Sequence, residues 1–334
     1  MNILYFDLVP WHEEVCYGIA SYLMELGSNL TVMLNDHYRE RGVETLLPDC
    51  KEIKFLQPGK ILKYVLENHN KYDCVIWGTM GGRESLSKFW DKDDVGSGIN
   101  DHLIKIGNLL GIAHHYATCP MYIKEAIGCN RTLTLLDTEM NVCRHVPLVG
   151  YGKNFCPNIG RNFSKRIMFA SRGSPSSIGK TNEFIQFMKR NPDLSGSMTQ
   201  QKCASLPPIP SNINVKEYVK FNDLLEMADE CCFIYMPIEC PKNGIVEHAS
   251  GSFQMSMALG LVPIFHGSGE PFGFPDDCCV TFNTPEELDM KMSKMDSLEY
   301  GRLQENLLKH VDNTKKFSIR FLEQSLLKAK EENT

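Results

Sequence analysis

The sequence lacks several features that would announce a class at once. No apolar run approaches the roughly 20 residues a membrane-spanning helix needs, and the amino terminus, MNILYFDLVPW, has no basic stretch ahead of an apolar one. Neither an anchor nor a secretory leader is expected, and the chain reads as cytoplasmic. Thirteen cysteines include no C-x-x-C pair. The odd count, and the placement of Cys74, Cys231 and Cys232 inside apolar runs, predict reduced packing thiols rather than a disulfide framework or a zinc site. No G-x-G-x-x-G follows the first strand-like run, which argues against a dinucleotide dehydrogenase. GSPSSIGKT, residues 173–181, misses the P-loop spacing, because five residues rather than four separate its lead glycine from the closing Gly-Lys. The DKD at 91–93 lies in an irregular segment rather than directly after an apolar strand, so a solvated charge run is expected there and no metal-binding D-x-D. No internal repeat or low-complexity stretch occurs.

What remains is an ordinary globular composition, 43% hydrophobic and 23% charged, in a chain of 334 residues that is too long for one core. Two domains of about 150 residues are the expectation. Apolar runs with strand character alternate with segments of helical period, which predicts parallel sheets with helical crossovers. MNILYF, LTVML, EIKFL and YDCVIWG read as strands; residues 13–26 and ILKYVLEN read as helices. HLIKIGNLLGI, IKEAI and TLTLLD continue the alternation to about residue 140. Residues 144–165, rich in Gly, Pro and Asn, read as the connection between domains. The alternation restarts with RIMFASR and runs through TNEFIQFMKRN, NVKEYV, NDLLEMADE, CCFIYMP, CVTF and EELDMKMSKM to a terminal pair of helices over about 297–332. The fold class expected is α/β, with two doubly wound Rossmann-like domains, 1–155 and 156–309, facing a cleft.

The richest stretch is 244–274, GIVEHASGSFQMSMALGLVPIFHGSGEPFGF. Met255, Met257, Ala258 and Leu259 fall at helical spacing, Gly260 closes the helix, and Leu261 to Phe265 read as a buried parallel strand. Small residues Ala249, Ser250, Gly251 and Ser252 leave the first N–H groups of that helix open to an anion such as a diphosphate. A local basic excess, Lys153, Arg161, Lys165, Arg166, Arg172, Lys180, Lys189 and Arg190 against Glu183 alone, can gather phosphates, although the net charge is -6. Lys189 and Arg190 also suit a helix C-terminus. Arg172 and Lys180 are the better anion candidates, since one follows a strand and the other precedes a helix. His114 and His115 follow the apolar LLGIA, where a strand would deliver them to a ligand-bearing edge and an imidazole could hold a sugar hydroxyl or move a proton. Asp7 ends the first strand. Glu13 and Glu14, after that strand, could serve as base in an inverting enzyme but have an adequate structural reason as first-turn helix acids.

The segment Arg166 to Asn191 resembles the start of the C-terminal domain of GT-B glycosyltransferases, in which an Arg after the first strand and a Lys before the first helix grip a nucleotide-sugar diphosphate; Arg172 and Lys180 match those positions. VKEYVKFNDLLEMADECCFIYMPIE is similar to that fold's strand, helix and strand ahead of the sugar-binding loop. Within the superfamily, SRGSPSSIGK, SFQMSMALGLVPIFHGSGEPFGF, HHYATCPMYIKEAIG and LLKHVDNTKKFSIRFLEQ most resemble the DNA α-glucosyltransferases of T-even bacteriophages. The resemblance covers most of the C-terminal half and scattered parts of the N-terminal half.

The resemblance implies an acceptor-binding domain over 1–155, with the helices of 310–334 packing back on it, and a donor-binding domain over 156–309. It implies a UDP-sugar donor, UDP-glucose foremost, no cofactor or metal, and transfer with retention by a monomeric protein. Donor contacts fall on Arg172, Gly173, Lys180, Ser250, Gly251, Ser252 and Gln254; Glu247, His114 and His115 lie at the reacting sugar. The pattern departs where many retaining members carry a second glutamate eight positions after the first: Met255 stands there, a side chain that cannot accept ribose hydroxyl protons as a carboxylate does, and Gln254 is its nearest substitute. HHYA likewise lacks the acid that some members place there. The phage likeness implies 5-hydroxymethylcytosine in double-stranded DNA as acceptor, flipped from the duplex, with Lys153, Arg161, Lys165 and Arg166, and Lys309, Lys315, Lys316 and Arg320, along the backbone. The overall acidity weighs against duplex binding. The alternatives are a glycan or small-molecule acceptor, a sugar-nucleotide epimerase, and a noncatalytic nucleotide-sugar-binding module.

Overall fold

The computed structural model describes residues 1–9, 13–41, 50–80, 102–113, 132–134, 144–145, 162–169, 178–200, 207–217, 221–239 and 251–331. They fall into two compact units, the first built on the amino-terminal sheet together with residues from Thr314 onward, the second on the carboxyl-terminal sheet up to Asn313.

In the first unit the chain runs β1 (Asn2–Asp7), α1 (Glu13–Glu25), β2 (Asn29–Asn35), β3 (Glu52–Leu56), α2 (Pro58–Asn68), β4 (Cys74–Trp77), β5 (Leu109–Ala113), β6 (Thr132–Thr134) and β7 (Arg144–His145). All pair in parallel, in the order β3-β2-β1-β4-β5-β6-β7. From Ile3 to Asp7 every residue of β1 is buried, the continuous burial of a strand covered on both faces. Leu4, Phe6, Val75 and Trp77 face Ile61, Leu62 and Val65 of α2 in one core cluster. The chain passes from β1 to β2 on one side and from β3 across to β4 on the other, so the sheet reverses its winding between β1 and β4.

The second unit runs β8 (Arg166–Phe169), α3 (Ile178–Arg190), β9 (Ser195–Gln200), β10 (Ile213–Glu217), α4 (Phe221–Asp229), β11 (Phe233–Glu239), α5 (Gly251–Leu259), β12 (Val262–His266), β13 (Val280–Phe282), α6 (Pro285–Lys294) and α7 (Ser297–Glu331). Its parallel strands lie in the order β10-β9-β8-β11-β12-β13, which reverses between β8 and β11. Side-chain alternation shows what covers each face. Ile264 of β12 joins Phe184, Phe187 and Met188 of α3, while its neighbour Phe265 packs against Phe253 of α5, ring centroids 6.0 Å apart and tilted. Thus α3 and α5 lie on opposite faces.

Three expectations are corrected. The terminal pair of helices is one helix, α7. The connection expected over 144–165 begins with β7, an edge strand. β9 was not expected from SGSMTQ, where Met198 is the one large apolar side chain; Gly196 makes room there, since a Cβ on it would lie 3.1 Å from Met188 of α3.

Candidate functional site

In an open parallel sheet, ligands bind beyond the carboxyl ends of the strands where the winding reverses. Each unit has one such place. In the first it lies between β1 and β4, and Asp7 closes it. This fully buried carboxylate accepts from the Thr79 hydroxyl beyond β4 at 2.7 Å and from the Val9 amide at 3.1 Å. Gly78 leaves room for the Tyr5 ring, because a Cβ there would lie 2.1 Å from the Tyr5 hydroxyl. Asn35, at the end of β2, donates to the Leu8 carbonyl at 2.9 Å. Three neighbouring strand ends are therefore laced together by side chains. His114 and His115 lie outside the described residues, directly after β5.

In the second unit the reversal lies between β8 and β11, and both flanking helices present their N-termini there: α3 follows β8, and α5 follows β11. Helix N-termini attract anions through unpaired N–H groups and the macrodipole. Lys180 sits inside the first turn of α3 rather than ahead of it. Its Nζ lies 2.7 Å from Glu183 and its side chain is only 14% exposed. α5 begins at Gly251 and carries no charged residue, and Gly260, at φ 64°, ends it as expected. Residues 252–260 are all buried. Phe253, Phe265, Phe272 and Phe274 form one aromatic cluster, with Phe265 and Phe272 stacked at 5.3 Å, and it joins α5 to the turn after β12. Asp276 fixes that turn by accepting from Ser268 at 3.1 Å and from the Gly269 amide at 3.3 Å.

Gln254 and Ser252 lie in the first turns of α5, both buried. The Gln254 Oε1 is enclosed and has no hydrogen-bond partner. Met255 is buried as well, which leaves the amide as the polar side chain at this point of the helix. Sequence reasoning missed Asn182, in the second turn of α3, whose Oδ1 is likewise enclosed without a partner. An asparagine inside a helical run carries no signal of that kind; the signal appears only when its neighbours are known. Arg172, Gly173, Glu247, Ser250, Lys153 and Arg161 lie outside the described residues.

Lys165 and Arg166 stand at the other end of the sheet, where β8 begins. Lys165 caps α6 by donating to the Met292 and Ser293 carbonyls at 3.0 and 2.8 Å, and Arg166 is paired with Glu230. With Ser164, Asp193 and Ser195 they line an open pocket of mixed charge. Both cations thus lie at the amino edge of the sheet, the end away from the strand termini where the winding reverses. Lys309 and Lys315 are paired too, with Glu305 and Glu25.

Among the described residues no group of three or more His, Cys, Asp or Glu could hold a metal ion, and no helix is long and apolar enough to cross a membrane. Cys232, Cys278 and Cys279 are buried. The Cys232 sulfur receives the Ser164 amide at 3.3 Å, and Cys278 and Cys279 both donate to the Pro275 carbonyl. The Cys278 thiol and burial push the Cys279 thiol far up, so it stays neutral.

No protein-family model matches the chain, and no curated protein sequence matches it. Solved structures do. A glycosyltransferase from Rickettsia africae ESF-5 superposes with a TM-score of 0.56 at 14% identity, covering 100% of this chain and 98% of that one. The glycotransferase of kitacinnamycin gives 0.53 at 10% identity over 97% and 99%. A protein described as a UDP-N-acetylglucosamine 2-epimerase from Listeria monocytogenes gives 0.53 at 11% identity over 91% and 90%. What these proteins share with this chain is the fold, two Rossmann-like parallel α/β units of the GT-B type.

Proposed function

We propose that the protein is a glycosyltransferase that binds a nucleotide sugar on the second unit and an acceptor on the first. The observation that carries this is the reversal between β8 and β11, flanked by the N-termini of α3 and α5 with Lys180 in the first turn of α3. Open N–H groups at these termini, with Arg172, Gly173 and Lys180, would hold the diphosphate as its bond to the anomeric carbon breaks, opposing the charge that develops on the leaving oxygen. Ser250, Gly251 and Ser252 are assigned to the same anion, and Gln254 to the nucleoside. In retaining transfer the acceptor hydroxyl attacks the anomeric carbon from the face the phosphate leaves, and its proton passes to the departing phosphate oxygen. No strong protein base is then needed. Glu247 beside the reacting sugar, and His114 and His115 as hydrogen-bonding groups to sugar or acceptor, complete the assignment.

The domain roles, the donor UDP-glucose and the acceptor 5-hydroxymethylcytosine in duplex DNA rest on the sequence resemblance, and with them a backbone role for Lys153 and Arg161. The test is to incubate the full chain with UDP- and dTDP-sugars and duplex DNA containing 5-hydroxymethylcytosine, then weigh the nucleosides by mass spectrometry. A hexose added to the modified base supports the DNA acceptor. Sugar release without addition to the base moves the acceptor to a glycan or small molecule. The likeness to a protein described as an epimerase favours a second reading, an enzyme that alters a UDP-sugar without an acceptor. Conversion of UDP-N-acetylglucosamine to its epimer, seen by NMR, would select it.

A further inference from the structure

Two enclosed amide oxygens without donors, Asn182 Oδ1 and Gln254 Oε1, flank the reversal between β8 and β11, one on the helix of each face. Leaving a buried acceptor unpaired costs about 1–3 kcal/mol, so each such group calls for a cause. Side chains on a helix lean toward its N-terminus, and both residues stand within the first five positions of α3 and α5; both therefore lean toward the carboxyl edge where a ligand would lie. Gln254 is 3% exposed, so bulk solvent does not satisfy its oxygen.

The chemistry of the orphan group narrows the ligand. A carbonyl oxygen only accepts, and an ionised diphosphate has no donor to give it. The part of the ligand at these two positions must carry O–H or N–H groups. We infer that Asn182 contacts the nucleoside of the bound nucleotide, taking a ribose hydroxyl or a base N–H across the reversal from Gln254. Asn182 is thus a nucleoside-reading residue, distinct from the cations and helix N–H groups that serve the phosphates. The inference rests on the donor site proposed above and adds which end of the nucleotide lies between the two helices.

The test uses volume-matched apolar replacements, Asn182→Leu and Gln254→Met, in the full chain. Titration calorimetry is run with pyrophosphate and with whichever of UDP and dTDP the unaltered protein binds more tightly, and urea denaturation is run without ligand. Each variant is expected to bind the nucleotide about tenfold more weakly, the effect of one hydrogen bond, and pyrophosphate within about twofold of the unaltered protein. The unligated denaturation midpoint should stay or rise, because a desolvated orphan has been removed; a side chain kept for folding would lower it. Nucleotide affinity within twofold of the unaltered protein in Asn182→Leu overturns the inference. So does a parallel loss of nucleotide and pyrophosphate. An unaltered protein that binds neither nucleotide nor pyrophosphate would instead overturn the donor site itself.

Discussion

A carboxylate held away from water at the end of β1 is tolerated because donors are aimed at it. Thr79 supplies one and the Val9 amide another. Thr79→Val keeps the shape and removes the hydroxyl, so it should cost about 1–3 kcal/mol, the usual penalty for taking a donor from a buried acceptor. Thr79→Ser should restore most of it. Urea denaturation measures both. His310 makes the opposite case. Burial among Phe274 and the turn after β12 lowers its pKa below the ordinary 6.5, against a smaller opposing effect of its hydrogen bond with the Gly273 backbone. The folded state therefore binds fewer protons at this site than the unfolded chain. Its contribution to stability is complete above pH 6.5 and declines as pH falls through 6.5 toward the lower folded value. Denaturation midpoints at about pH 7.5 and 5.5 should differ less in His310→Phe than in the unaltered protein. Asp7 was visible in the sequence as the residue closing an apolar run. Its donors were not, because Thr79 lies far along the chain.

Helix ends show how far local chemistry was readable. α6 starts where Pro285 follows Thr284, whose side chain accepts from the Glu287 amide at 3.2 Å while Glu287 accepts from the Asn283 amide at 2.8 Å. Thr284→Ala should cost about 1 kcal/mol, measurable by the same denaturation. α7 is the element the sequence misrepresents. Its buried side chains, Leu303, Leu307 and Val311 and later Leu322, Leu326 and Ala329, suggest two stripes with a break near Asn313. No glycine or proline stands there, so the helix carries on, and the Ser318 hydroxyl bonds the Thr314 carbonyl at 2.7 Å within it. Amides 312–318 should exchange with deuterium as slowly as their neighbours. Thr314→Pro should destabilise by about 3 kcal/mol or more and speed that exchange. The strands were legible wherever both faces are apolar, as in β1, β4 and β12. β9 was not, because a glycine and small polar residues give no alternation, and its burial comes from helices that the local sequence does not reveal.

At the scale of the molecule, repeated strand–helix alternation was enough to foresee two doubly wound units, and the structure supplies their strand orders. The donor assignment makes one demand on the second unit as a whole. Lys180→Ala and Arg172→Ala should each weaken nucleotide-sugar binding by about 1.5–3 kcal/mol, and pyrophosphate binding equally, as calorimetry would record. Unaltered affinity in both would remove these cations from the site. Anion sites of this type could be proposed from glycines and cations alone, whereas the two orphan oxygens emerged only from packing.

The discontinuity of the first unit bears on how the chain is made. α7 leaves the second unit at Asn313 and supplies the first with Phe321, Leu322, Leu326 and Ala329, together with Lys315 against Glu25 and Lys330 against Asp73. A ribosome delivers Glu25 and Asp73 long before their partners, so the sheet made first is finished last. A nascent chain stalled before residue 314 would hold an amino-terminal sheet with bare apolar surface.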